Sequence, residues 1–486
     1  MYILFKGMFL RLSFLNVAYN VGGGRKLMFF SLELCFSDGF QGDCSADEEK
    51  RVCTADYADR ISDLPRNVLE KLLTCMPLRD AVRTCVLSKK WRYMWVTIPY
   101  LSFDDNFGRP PGKSQPTMDK LLLNIFQVLL RHQGSLEGFA LSIPYLRSCP
   151  EIDQFILFLS GKGINLLRIK ILSGDPYKLP LSLFSCQKLS YLHLCSCVFN
   201  PPLGSFQGFS RLATLKLETV DIAANLNDFI LKCPLLVTLA INNCSQLDHL
   251  EIDAPNLNSF QFEGDLNSIC FKNTPLLERV MIDANKDSFT LSRQGSISNF
   301  FKVFSSLPAL KILTASHPFF KYLALGDISE KPAVTLNRLK TIELKDICLG
   351  AVGELSCALC LIKCSPNLQE ICIEVNAQKD PNINPALDML GVQDVSDYCL
   401  DKLKEVNLHI WSGTKDVMEF VKFLLAGSSV LEKMVIKPQK ALPSEDVVNI
   451  LKEITCFRRA SPKAELIFID PPAQSNPKAN YSSRYY

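Results

Sequence analysis

Between residues 131 and 440 the apolar positions follow one six-residue pattern, L-x-x-L-x-L, many times over. It occurs as Leu136-Phe139-Leu141, Leu166-Ile169-Ile171, Leu189-Leu192-Leu194, Leu212-Leu215-Leu217, Leu236-Leu239-Ile241 and Leu257-Phe260-Phe262. It continues as Leu277-Val280-Ile282, Leu310-Leu313-Ala315, Leu339-Ile342-Leu344, Leu368-Ile371-Ile373, Leu403-Val406-Leu408 and Leu431-Met434-Ile436. The last two apolar positions of each unit alternate with other residues, the period of a half-buried strand. Each unit therefore predicts a short strand with its aliphatic side chains in a core.

The units average about 27 residues, the period and pattern of leucine-rich repeats, which stack coil on coil around a continuous core. Cys197 and Cys244 fall at the Asn/Cys position of that repeat. Spacing varies along the array. Units centred on Leu215, Leu239, Phe260 and Val280 lie 24, 21 and 20 residues apart, with alternating runs Leu250-Ile252 and Ile269-Phe271 between them. That predicts extended segments on both sides of the middle coils. Later units lie 28 to 35 residues apart and leave room for helices at 298–306, 351–364 and 415–426. Function in such an array lies on strand residues that face the concave side. The candidate target-binding set is Tyr191, His193, Lys216, Glu218, Gln261, Glu263, Asp283, Glu343 and Lys345, with Asn242, Glu374 and His409 on the same face. Its charges are mixed, so no ligand sign follows.

Residues 59–103 have a different rhythm. Pro65 suits the first position of a helix, and Val68, Leu69, Leu72, Leu73 and Met76 then share one helical face. Pro77 ends that helix. Ala81, Val82, Cys85 and Val86 repeat the spacing on a second, and Ser88 is placed to cap a third carrying Trp91, Met94 and Trp95. So short a segment cannot bury this apolar surface alone. The surplus suits a partner's groove or the end of a larger domain. Leu64-Pro65, Asp80-Ala81-Val82-Arg83-Thr84, Val86-Leu87-Ser88-Lys89-Lys90-Trp91-Arg92 and Trp95 resemble, in order, the F-box of a large plant subfamily. The resemblance implies docking on a small Skp-type adaptor, itself carried by the cullin scaffold of a multisubunit ubiquitin ligase. The implied adaptor-binding set is Leu64, Pro65, Val68, Leu69, Leu72, Leu73, Ala81, Val82, Val86, Leu87, Trp91 and Trp95.

Residues 104–130 read as a linker and a first helix. Gly108 to Ser114 imitates a phosphate-binding loop but is one residue short, and Pro110 and Pro111 remove two backbone donors that such a loop needs. Near the other end, a strand at 403–408, a turn at Gly413-Thr414, a helix over 417–425 ended by Gly427 and a strand at 431–437 make a terminal unit spanning 396–470. An edge strand at 464–469 is expected after it. The stretch 413–438 resembles the FBD domain that closes plant F-box proteins. Residues 471–486 are polar and proline-containing, a disordered tail by composition.

Composition narrows the chemistry. Lys+Arg 53 against Asp+Glu 50 leaves +3, which argues against a dedicated nucleic-acid binder. No apolar run reaches the length needed to cross a bilayer. Nineteen Cys sit mostly among apolar neighbours, as small hydrophobes do, so a reducing compartment without disulfides is expected. Cys357, Cys360 and Cys364 form a helical stripe without a fourth ligand, so neither a metal nor another cofactor is assigned. Catalytic motifs are missing too. Residues 1–58 read as an unstructured extension followed by an acidic linker, dispensable for docking.

The expected fold class is an α/β solenoid: an N-terminal three-helix F-box module, an irregular leucine-rich-repeat solenoid over 131–395 and a C-terminal FBD-type strand–helix–strand cap. The order resembles the plant F-box/FBD/leucine-rich-repeat family. That implies a non-catalytic substrate-recognition subunit of a Skp–cullin–F-box ligase, cytoplasmic or nuclear, binding an adaptor and a protein target. The alternative is a non-enzymatic repeat scaffold outside any ligase.

Overall fold

The structure is a computed structural model that describes residues 64–86, 89–104, 107, 118–143, 149–202, 204, 206–223, 226–285, 303–323, 335–376, 400–411, 413–440 and 442–469, with short strands between Tyr2 and Phe36. Those strands correct part of the expected unstructured extension. Met8–Ser13 pairs antiparallel with Tyr2–Phe5 and Ser31–Phe36, and Ala18–Val21 pairs with Arg25–Met28. Their apolar residues contain no proline to interrupt pairing. The acidic linker at 37–58, the imitation loop at 108–114 and the tail at 471–486 lie outside the described residues. The chain divides into two compact units, one ending at Ser196 and one beginning at Cys197.

In the first unit Tyr100–Phe103, Gly138–Ile143, Leu166–Ile171 and Tyr191–Cys195 form a parallel ladder in chain order. Two expectations change here. Tyr100–Phe103, which closes the expected docking module, is also the first rung of the ladder. Ile98, Leu101 and Phe103 are 5%, 1% and 1% exposed, an unrecognised copy of the six-residue frame. The backbone N–H groups of Glu137 and Gly138 both donate to the Pro99 carbonyl, at 2.8 and 3.0 Å. Gly138 is required because a Cβ there would meet the Tyr100 ring at 2.5 Å. The Tyr100 hydroxyl donates to Glu137 Oε2 at 2.8 Å, and burial together with that carboxylate pushes the phenol up to about 12.

The second change is one of register. Leu167 pairs with Phe139 and Leu192, so Ile164-Leu167-Ile169 is the working frame; all three are buried. Leu166, expected at the first core position, pairs with Gly138 and Tyr191 on the half-exposed face. The frame shifts by two residues, which leaves Ile169 and Ile171 in the core and moves only the first position, from Leu166 to Ile164.

Helices Met118–Arg131 and Pro150–Lys162 cross between strands in this unit. The second was not anticipated, although Pro150 at its start, Glu151 and Asp153 in its first turn, and Gly163 at φ +67° after its end mark it well.

The second unit repeats the device. Thr214–Glu218, Thr238–Asn242, Ser259–Gly264, Arg279–Ala284, Ile312–Ser316, Thr341–Ile347, Glu370–Val375, Glu405–Ile410, Lys433–Pro438 and Glu465–Phe468 each pair parallel with the next. Leucines of the frame are buried throughout, including Leu212, Leu215, Leu217, Leu236, Leu239 and Leu257, each at 0%. Each such side chain contributes roughly 1.5–3 kcal/mol.

Opposite the middle coils His249–Asp253 pairs with Ser268–Asn273, as the short spacing predicted, and Cys197–Phe199 pairs with Asp221–Ile222, which was not anticipated. Longer spacings carry Val352–Lys363 and Lys415–Gly427, also as expected, and His317–Leu323 and Ser444–Cys456, which were missed. Of the helix expected at 298–306, only 303–306 lies within the described residues. Turns out of successive strands hold Thr219 and Asn243 at φ +48° and +50°, a region that Asn tolerates and a β-branched residue strains. The Thr219 N–H donates to the Asn242 carbonyl of the next coil at 2.8 Å.

Candidate partner-binding surfaces

Helix Arg66–Thr74 follows Pro65, which stands at the N-cap, one place before the position that the sequence predicts. Pro77 precedes Leu78–Arg83, which tightens into the 3₁₀ turn Thr84–Val86. The expected third helix is a correction: Met94–Thr97 is one 3₁₀ turn. Two tryptophans and a β-branched pair in so few residues favour a tight turn around a packed centre over a regular helix. Lys90 Nζ donates to the Leu64 carbonyl at 3.2 Å, tying the turn before Trp91 to the residue that precedes Pro65 and the first helix.

The twelve predicted adaptor-binding residues separate by burial. Leu69, Leu73 and Ala81 are 0% exposed, and Trp91 and Trp95 are 4% and 5%. Together with Leu78 and Met94 they are the module's core, so they cannot meet a partner directly. Leu64, Leu72 and Val82 are half-buried, and Pro65, Val68 and Val86 are exposed; Val86 reaches 72%. Leu87 lies outside the described residues. Tyr93, absent from the predicted set, is 69% exposed. Its signal was its position, out of phase with the apolar face set by Trp91, Met94 and Trp95.

On the sheet, Lys216, Glu218, Gln261, Glu263, Asp283, Glu343 and Lys345 are half-buried, on the side opposite the leucines. Asn242, Glu374 and His409 share that exposure. Glu218, Asn242, Glu263 and Asp283 stand at adjacent register positions, as do Lys216, Ala240, Gln261 and Met281. Lys345 Nζ lies 3.3 Å from Asp283 Oδ2, and Thr314 Oγ1 donates to Glu343 Oε2 at 3.1 Å. Asn243 Nδ2 donates to Glu263 Oε1 at 3.0 Å. Burial raises Glu370 and Glu374, and neighbouring carboxylates add to it: Glu405 and Glu343 beside the first, Asp346, Glu343 and Asp283 beside the second.

In the first unit Tyr191 is half-buried, its hydroxyl accepting from Arg168 Nη2 at 3.3 Å. His193 is a correction: at 3% exposed it has no surface to offer a target. The sequence frame put it outside because it alternates with Leu192 and Leu194, but neighbouring side chains close over it. Arg279, Glu370, Glu405 and Asn407 lie on the solvent-facing side without having been named, whereas Thr314 shares their register but is only 5% exposed. Their strands were predicted, so the same alternation would have found four of them.

Cys357 and Cys364 of the helical stripe are buried, and Cys360 Sγ lies 4.0 Å from Cys364 Sγ. Among the described residues no group of His, Cys, Asp and Glu side chains is arranged to hold a metal ion.

Three family models match the chain in order. The F-box domain covers residues 61–101, the LRR repeats described for FBD-associated F-box protein At5g56370 cover 149–373, and FBD covers 395–436. F-box/FBD/LRR-repeat protein At1g13570 of Arabidopsis thaliana is 36% identical over 415 residues, 85% of this chain and 98% of that protein. F-box/FBD/LRR-repeat protein At5g56420 of the same plant is 24% identical, over 85% of this chain and 99% of its own. F-box/LRR-repeat protein 13, also from Arabidopsis thaliana, is 24% identical over 87% and 99%.

Proposed function

The chain belongs to the F-box/FBD/LRR-repeat family, and from that premise we propose that it is the substrate-recognition subunit of a Skp–cullin–F-box ubiquitin ligase. The F-box module docks on a Skp-type adaptor. The half-exposed sheet face takes a protein target. The observation that carries this reading is the module's pair of apolar layers: a closed core of Leu69, Leu73, Trp91 and Trp95, and outside it Pro65, Val68, Val86 and Tyr93 in solvent. A module built only to hold itself together has no use for the second layer.

Catalysis in this role is proximity. The receptor holds a target beside a charged conjugating enzyme and raises its effective concentration. A reducing location, cytoplasm or nucleus, fits the free thiols of the described cysteines. One observation favours the alternative scaffold reading: Tyr100–Phe103 joins the module to the ladder, so the module also caps the first coil.

A Leu64→Ala/Pro65→Ala double variant separates the two. Both residues lie outside the module's core, so the fold is retained. Losing an interface anchor costs about 2 kcal/mol, so adaptor affinity should fall at least ~30-fold. Target binding should persist while target ubiquitination falls. Unchanged adaptor binding by a folded variant, read by pull-down with circular dichroism, would assign the module to capping.

A further inference from the structure

Helix Met118–Arg131 buries Leu121, Leu122, Ile125, Val128 and Leu129. Its other side carries Leu123, Phe126 and Leu130 at i, i+3 and i+7, exposed by 56%, 45% and 67%. A helix apolar on both sides is built to lie between two surfaces, and among the described residues one of the two is supplied.

The stripe belongs to the same compact unit as the F-box module. Just past the helix, His132 Nε2 lies 2.9 Å from the Ile98 carbonyl and the Gln133 N–H donates to the Val96 carbonyl at 2.8 Å. These bonds fix the end of the helix to the last turn of the module. Chain geometry then keeps Leu130 within roughly 20 Å of Tyr93. A standard interface covers about 800 Å² per partner, a patch roughly 30 Å across, so both lie within the reach of a single partner.

We propose that the Skp-type adaptor seated on the F-box continues onto this helix, with Leu123, Phe126 and Leu130 as an apolar extension of the docking face. The inference rests on the adaptor reading above. An aliphatic–aromatic stripe at this spacing is the form in which a helix enters a partner's apolar groove. Continuity with the F-box face selects the adaptor over a second copy of the chain or the target. Contacts on two elements also fix the angle between adaptor and repeats. A receptor that works by proximity needs that angle fixed, because a freely swivelling joint spreads the target over many unproductive positions.

The test uses the full chain co-expressed with a Skp-type adaptor. Dissociation constants are measured for wild type, Leu123→Glu/Leu130→Glu, Leu123→Lys/Leu130→Lys and Phe126→Gln, with thermal melting and light scattering on each. Both charged pairs should weaken adaptor binding about tenfold, and Phe126→Gln about threefold, with melting unchanged because all three side chains are already in solvent. If Leu64→Ala/Pro65→Ala abolishes binding while every stripe variant binds as wild type does, the extension is wrong and the F-box reading stands. A wild-type dimer that the stripe variants dissociate gives the stripe to a second copy and also overturns the inference. No binding by wild type sinks the adaptor reading itself, and the extension with it.

Discussion

The F-box module and the repeat sheet treat their apolar residues in opposite ways. In the sheet nearly every frame leucine is closed off, and the face left to solvent is polar and crosslinked by contacts such as Lys345 to Asp283. The module closes off its two tryptophans yet leaves Val86 and Tyr93 in water at 72% and 69%. The sheet is long enough to satisfy its own hydrophobic surface; the module is not. The difference teaches that the residues by which each region is recognised are mostly its core. The residues able to meet a partner stand beside them.

The comparison breaks first in the sheet. Phe260 is 1% exposed and packs edge-on against Phe271, with ring centroids 5.5 Å apart. Phe260→Ala should cost about 3–5 kcal/mol, read as a lower denaturation midpoint, with adaptor affinity retained. In the module, Trp91→Ala and Val86→Glu should differ in kind. The first empties the core and should lower melting and adaptor affinity together. The second should leave stability within about 0.5 kcal/mol and still weaken adaptor binding roughly tenfold, measured by interferometry alongside calorimetry. Equal effects of the two on stability would erase the distinction between core and presented layer.

Thiol chemistry sharpens the same division. Burial pushes Cys186, Cys233 and Cys244 up to about 11, so near pH 8 their thiolate fraction is on the order of 0.001. Cys270 and Cys456 are exposed. Brief alkylation of the native protein should label those two first among the described cysteines. Labelling after denaturation without reductant should find close to all nineteen thiols free. Several protected pairs would overturn the reducing-compartment reading.

The smallest effect concerns the carboxylates of the sheet. Burial, with Asp346 and Glu343 nearby, raises Glu374 above its ordinary value of 4.5. A raised carboxylate contributes most to stability when protonated in both states, below that ordinary value, and the contribution is lost as pH rises through the folded-state value. Glu374→Gln keeps an acceptor for Gln439 Nε2, now 3.1 Å away. It should therefore raise the melting temperature slightly at pH 7, and the gain should vanish below about pH 4.5. A gain that persists in acid would mean that packing, not charge, is responsible.

Much of this protein is local information. The alternation around Leu215, Leu239 and Phe260, the short spacing that calls for His249–Asp253 and Ser268–Asn273, and the helix Lys415–Gly427 can all be read in place. A strand of period 2 and a helix of period 3.6 write their buried faces directly into residue order. The helix Ser444–Cys456 was equally legible, from Pro443 before it and Ile450 and Ile454 within it.

By itself, then, the sequence determined the rungs from Gly138–Ile143 onward, the helices Val352–Lys363 and Lys415–Gly427, and that an F-box precedes the repeats and an FBD unit closes them. Only the tertiary structure decided that Ile164 and not Leu166 enters the core, that His193 is covered, that Tyr100–Phe103 begins the ladder, and which module residues stay in solvent. It alone placed Leu123, Phe126 and Leu130 in solvent. The physical reason is that periodicity tells which residues share a face, whereas burial depends on what packs against that face, and the packing partners here lie tens of residues away in the chain.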